Sequence, residues 1–430
     1  MRKFFFALEA EDVETPPVDA SDVIESTSEV EEAHDEVETK AEEVEDLGEN
    51  VEKGVDATDT LTTLGDTMTE KVADGDGLSE DAAKIAEIVI ESIRNDLNMP
   101  KKIGKIPSME SFKSPRTRLE ATKIALEAVD LSLKSIWENI LRILKAISAK
   151  LKAYLAGLMK NYDGMLKHLE NLKGMANASK GEMEKEALEK ESLANFFSVE
   201  GKADVTTAVK TLNSVSSFGA ILKKIMTFIS GKVDLQKIST MDKAAAEKAV
   251  KDHFDEFIRL LEFKVATKNV KDGESAFKSG PFPGNKWLRY ELKDGNFSID
   301  FIDGKEGAKT IKALNKNEIL SLLDEASTVA KGGKEMKENA DLVDKTIKAV
   351  MTASEKVSAE IAKTSEKGKG EAIREASKVA SNYTKIVSKF GNKLPSMHFA
   401  SVKYSADYVA ASIANFKKEE KKEKGDEGKQ

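Results

Sequence analysis

The sequence predicts a mainly α protein: a multi-helix body with one β-hairpin insert, preceded by a disordered acidic leader. Three observations carry this expectation. Charged residues fill 33% of the 430 positions and aromatics only 6%, which suits helices with large solvated faces better than sandwiches or barrels. No proline occurs between Arg116 and Gly280, and apolar residues there recur at three- and four-residue steps. Strict apolar–polar alternation is confined to one stretch, KWLRYELKDGNFSIDF.

A chain of this length can bury a real core and hold two or three domains. It has no cysteine, which rules out disulfides, thiolate zinc sites and a cysteine nucleophile. Mean hydropathy is -0.41, and no run approaches the roughly 18–20 apolar residues of a membrane span. The opening MRKFFFALEA does not fit an export signal. Its apolar run, Phe4 to Leu8, is broken by Glu9, Glu11 and Asp12, whereas a signal core needs roughly 7–15 apolar residues.

The net charge of -9 conceals a division. Residues 1–110 hold 31 acidic against 10 basic residues, a net of -21. The remainder holds 57 basic against 45 acidic residues, a net of +12. An acidic quarter is joined to a basic body, and such asymmetry points to different partners or fates for the two parts.

Along the chain, residues 11–77 combine low hydrophobicity, high charge and Pro16-Pro17, so an acidic disordered segment is expected, with a transient helix over Thr58 to Thr69. Residues 78–97 predict a short amphipathic helix with Ile85, Ile88, Val89, Ile93 and Leu97 on one stripe and Ser79 as its cap. Pro100, Gly104, Pro107 and Pro115 punctuate 98–116, which reads as an exposed linker where the charge changes sign.

A helical domain follows over 117–280. Its first helix carries Trp137, Leu141, Leu144, Ile147, Leu151, Leu155 and Leu158 on one stripe. Lys134, Arg142, Lys145, Lys150, Lys152 and Lys160 lie off that stripe. Further helices are expected over Glu182–Phe197, Val205–Ser230 and Asp242–Lys264. The hairpin, 281–305, turns at Lys293-Asp294-Gly295-Asn296, a strong two-strand signal. A second helical domain, 306–416, predicts helices over Asn317–Ala330, Lys334–Glu366, Gly370–Lys389 and Ser396–Phe416. Residues 417–430 form a charged tail.

Catalytic constellations are nearly absent. His34, His168, His253 and His398 lie in separate segments without a partner histidine at helical spacing. His253 sits among Asp252, Asp255 and Glu256, which admits half of a metal site but fits better a helix-surface histidine among carboxylates. ADGDGLSE, at 73–80, resembles the start of a calcium loop but lacks the later oxygen ligands. AKGGKE and EKGKGEA lack the Walker pattern. No enzyme activity, cofactor, metal or small-molecule substrate is expected. The basic helix over Lys134–Lys160 admits three readings: a core helix with a solvated basic side, contact with nucleic-acid phosphates, or binding flat on an anionic membrane.

MRKFFFALEA resembles the short capsid-targeting sequences on internal head proteins of myovirus-type tailed bacteriophages. The resemblance makes Phe4, Phe5 and Phe6 the targeting contact, and Ala7-Leu8-Glu9 followed by Ala10 a processing context. Internal head proteins of giant phages related to this group carry acidic propeptides that a prohead protease removes after Glu in a small-x-Glu triplet. Ser108-Met109-Glu110, followed by Ser111, resembles such a site. Similar triplets at Ala125-Leu126-Glu127, Ser198-Val199-Glu200, Ala245-Ala246-Glu247 and Ala353-Ser354-Glu355 fall mostly in predicted helix, whereas Glu110 lies in the linker.

The resemblance implies a virion structural protein inside the capsid, assembled in the host cytoplasm. Its partners would be the prohead protease, capsid shell or core proteins, and packaged DNA held without sequence specificity. Ejection with the DNA is a further expectation. The alternatives are a prohead scaffold or core protein, and a membrane-surface or pore-forming helical protein.

Overall fold

The computed structural model describes residues 20–99, 105–179, 183–199, 201–232, 237, 241, 243–261, 265–271, 274–293, 296–304, 307–334, 337–361 and 369–416. The MRKFFFALEA motif, residues 11–19 and the tail 417–430 lie outside the described residues, as do Asp294 and Gly295.

The mainly α class is borne out, but the acidic segment differs from expectation. Residues Ala20–Ala73 form a 54-residue helix, α1. Val30, Val37, Ala41, Val44, Val51, Val55, Thr58, Thr62 and Met68 are buried along it, with Gly48 and Gly65 in the same alternating three- and four-residue series. The stripe is made of small residues, so it scarcely raises the segment's hydrophobicity, yet it lets a neighbouring helix approach closely. A Cβ on Gly54 would stand 2.9 Å from Ile140, and one on Gly48 would stand 3.0 Å from the Ser388 hydroxyl. Threonine hydroxyls at 58, 62 and 69 donate to carbonyls one turn back, so burial leaves them satisfied.

A turn with Gly75 and Gly77 at positive φ leads into α2, Glu80–Asp96. Gly77 is required twice over: its φ is +68°, and a Cβ would meet the Arg118 backbone at 2.9 Å. Ser79 caps α2 as expected, its hydroxyl accepting from the Ala82 N–H at 3.2 Å. The stripe is rotated from the expected one. Ala83, Ala86, Ile90 and Ile93 face the core, while Ile85 and Ile88 are 62% and 59% exposed.

Helix α3, Pro115–Ala178, starts with Ser114 as cap and proline in its first turn. It buries Trp137, Leu144, Ile147, Leu151, Tyr154, Leu155, Leu158 and Tyr162. The expected helix over 182–197 is instead a short strand, β1 (Ala187–Leu188), and one helical turn and a half, α4 (Glu191–Phe196). The next expected helix divides into α5 (Val205–Val215), opened by an Asp204–Thr207 capping box, and α6 (Phe218–Lys232). Helix α7 spans Lys243–Leu260.

The hairpin forms in the expected register. Strands β4 (Lys286–Lys293) and β5 (Asn296–Asp303) pair Leu288 with Phe301, Tyr290 with Ile299 and Lys293 with Asn296. It is half of a larger sheet, because β2 (Val265–Lys271) and β3 (Glu274–Phe282) complete an antiparallel order β2-β3-β4-β5. Four strands remedy the marginal stability of an isolated hairpin. A short β6, Ile311–Lys312, pairs with β1.

Helices α8 (Lys316–Lys334) and α9 (Lys337–Ile361) precede α10, Lys369–Ile413. The sequence predicts two helices there, split at Pro395. The structure carries one helix through it, giving up the Pro395 donor to the Gly391 carbonyl. Tertiary packing outweighs that loss, because Phe390, Leu394, Phe399 and Val402 are fully buried on both sides of the proline. Helix α10 is the centre of the molecule, touching α1, α3, α5, α6, α7, α8, α9 and β5.

Candidate functional site

Helix α1 runs antiparallel to both α3 and α10, in the angle between them. On α3, the Asn161 amide donates to the Ala33 carbonyl at 3.4 Å, and Gly54 and Gly65 face Ile140 and Val129. On α10, the Asn392 amide donates to the Ala41 carbonyl at 2.6 Å and Gly48 faces Ser388. The α1–α3 interface is the most extensive between helices among the described residues. Small residues on α1 allow this approach, and the helix draws its stability from that packing rather than from intrinsic propensity.

The rims of this seat are electrostatic. Glu43 pairs with Lys150 of α3 at 2.6 Å, Glu45 with Lys393 at 2.7 Å and Glu52 with Lys385 at 2.6 Å, both lysines being on α10. Each pair is partly exposed, so it contributes at most about 1 kcal/mol. Their significance is direction, since the leader's carboxylates neutralise the body's cations at close range. Asp56, near Glu52 and Lys385, is held above the usual carboxylate range by burial first and by the Glu52 charge second. At the N-terminal end of α1, His34 meets the Tyr404 ring edge-on, and burial together with Lys403 lowers its pKa.

The six basic residues expected on α3 are all exposed. Lys134, Arg142, Lys145, Lys152 and Lys160 fall within about a quarter-turn of one another at 100° per residue. Lys150 stands apart on the α1 side, where it pairs with Glu43. The apolar stripe that a membrane-lying helix would need is buried inside the core, apart from half-buried Leu141. Among the described residues, no helix is long and apolar enough to cross a membrane.

The junction at Glu110 is more ordered than a linker. Ser108, Met109, Glu110 and Ser111 enter a 3-10 turn over Met109–Phe112, with the Ser111 N–H donating to the Ser108 carbonyl at 2.9 Å. Glu110 is exposed, Met109 and Ser111 are half-buried and Phe112 is fully buried. The Arg118 side chain donates to the Phe112 carbonyl at 3.1 Å, tying the turn to α3. A protease that takes extended substrate must open this single turn and withdraw Phe112. Of the other triplets, those ending at Glu127, Glu247 and Glu355 lie within α3, α7 and α9, and Glu200 lies outside the described residues.

Two of the four histidines lie against tyrosine hydroxyls. His398 is buried and its Nδ1 lies 2.6 Å from the Tyr162 hydroxyl; the Tyr383 hydroxyl lies 3.2 Å from His253 Nδ1. Among the described residues, no three His, Asp or Glu side chains gather as metal ligands. The calcium-like stretch is the turn between α1 and α2. Sequence reasoning missed the α1 seat, whose signal was the three–four recurrence of Val, Ala, Gly and Thr through the acidic run.

No curated protein and no solved structure matches the chain. A family model described as phiKZ-like phage internal head proteins matches residues 18–415, which includes α1, the Glu110 junction and the whole helical body. With nearly its entire length covered, the chain belongs to the phiKZ-like phage internal head proteins.

Proposed function

We propose that this internal head protein is made as an acidic–basic precursor, in which α1 shields the body until the prohead protease cuts after Glu110 and the leader is digested. The body then remains in the head against the packaged DNA and leaves with it on ejection. The observation that carries this reading is the pairing of Glu43, Glu45 and Glu52 with Lys150, Lys393 and Lys385 across the α1 seat. Removing residues 1–110 changes the net charge from -9 to +12. A polyanion at close quarters favours the second state, and the masked state discourages early DNA contact during assembly. The role is structural, with capsid shell or core proteins as neighbours and no reaction of its own.

Peptide mapping by mass spectrometry of purified proheads and mature particles tests the processing. Proheads are expected to yield peptides across 20–99, and mature particles a product beginning at Ser111 with almost no peptides from the leader. Abundant leader peptides in mature particles would overturn processing. Loss of the body itself on maturation would identify a scaffold instead.

A further inference from the structure

We propose that residues 20–96 serve as a folding template for the body, with α3 and α10 acquiring their relative placement by packing on α1. The proposal takes the end of the segment from the processing reading, but its physical content is independent of any protease.

Three observations support it. Helix α1 contributes to the same continuous core as the body, through Val44, Val51, Val55 and Leu61, each at most 4% exposed. A detachable shield needs only surface contact, whereas these side chains complete the interior. Next, direct contact between α3 and α10 is less extensive than the contact of either with α1. Their sequences are also far apart, so closing the intervening loop is entropically costly without a shared surface.

Finally, Asn392 couples the three helices at one point. Its amide donates to the Ala41 carbonyl of α1, and its backbone carbonyl accepts from the Tyr154 hydroxyl of α3 at 3.2 Å. Both Asn392 and Tyr154 are about 1% exposed, so without α1 the Asn392 amide loses its partner in the core. A polar group with a partner in only one register specifies placement as well as stability.

It follows that a cut after Glu110 severs a connection without clearing the seat. The helix stays bound as a second chain, since the lost tether removes only its effective-concentration advantage. Clearing the seat requires digestion of α1 itself.

The test uses the full-length chain with a sequence-specific protease site introduced between residues 100 and 105 and cut after folding. The two pieces are expected to co-elute in gel filtration at about 1 M salt, where the Debye length falls to about 3 Å and exposed pairs are weakened. After separation in guanidinium, the body refolded alone is expected to unfold without a sharp transition and to bind a hydrophobic dye. Adding the leader piece back in trans is expected to restore the sharp transition at least tenfold faster than the body regains it alone. Spontaneous separation of the pieces on cutting would overturn the proposal. So would a body that refolds alone at the same rate and with the same transition as the pair. Neither result bears on the particle peptide map, which reads processing alone.

Discussion

Replacing Val51 by aspartate is expected to detach α1 from the body and destabilise the whole protein by on the order of 3 kcal/mol. Val51 is 1% exposed and lies between Gly48, which faces Ser388, and Gly54, which faces Ile140. A carboxylate there would be buried without a cation, or α1 would have to leave its seat. Both routes expose the apolar surface of α3 and α10. Asn50→Asp adds the same charge one position away on an exposed site and is expected to change stability by less than about 0.5 kcal/mol. Guanidinium unfolding measures the difference, and limited proteolysis should show α1 digested first in Val51→Asp. Equal behaviour of the two variants would mean that α1 is not packed on the body.

Acid should weaken the fold well before its carboxylates are neutralised, with His398 as the principal cause. The ring is 1% exposed beside Tyr162, and burial lowers its pKa from 6.5 to about 4. The unfolded chain therefore binds a proton at higher pH than the folded one. The stabilisation is present in full above pH 6.5 and is lost as pH falls toward 4. A shift of this size corresponds to about 3 kcal/mol, an upper figure. His34 and His168 are lowered in the same direction, both chiefly by burial, and steepen the loss. Stability measured between pH 7 and pH 4 should fall more steeply for the native sequence than for His398→Gln, which keeps an acceptor near the Tyr162 hydroxyl but does not titrate. Parallel pH profiles would remove His398 as the cause.

The parts of the fold legible in the sequence are those whose signal is local and strong. The α3 stripe is built from Leu, Ile and Trp, and the β4–β5 register follows from alternation around Asp-Gly. Ser79 could be named as a cap because it precedes a periodic run. The α1 seat was illegible for a physical reason: its buried face is mostly Val, Ala, Gly and Thr beside Leu61 and Met68, and hydropathy weighs volume rather than fit. Gly54 and Gly48 are the points of closest approach to Ile140 and Ser388. Helix α10 hides in the opposite way, since Ser381, Asn382, Ser388, Asn392, Ser401 and Ser405 are polar and yet buried. Its continuity through Pro395 depends on neighbours from distant parts of the chain.

The prolines around Glu110 predict a linker. What it becomes depends on Phe112, whose burial no local pattern announces. The charge division was fully legible, but composition alone could not show that the two parts meet. The pairs between α1 and the lysines of α3 and α10 supply that link.

The masking account stands on one comparison: DNA retention by the uncut precursor and by the product recovered from mature particles, across a salt series. The account predicts no binding by the precursor at about 150 mM salt, and sequence-independent binding by the product. For the product, log affinity should fall linearly with log salt, by about 0.9 for each phosphate contacted. Equal retention of DNA by the two forms, or none by the product at low salt, would contradict it.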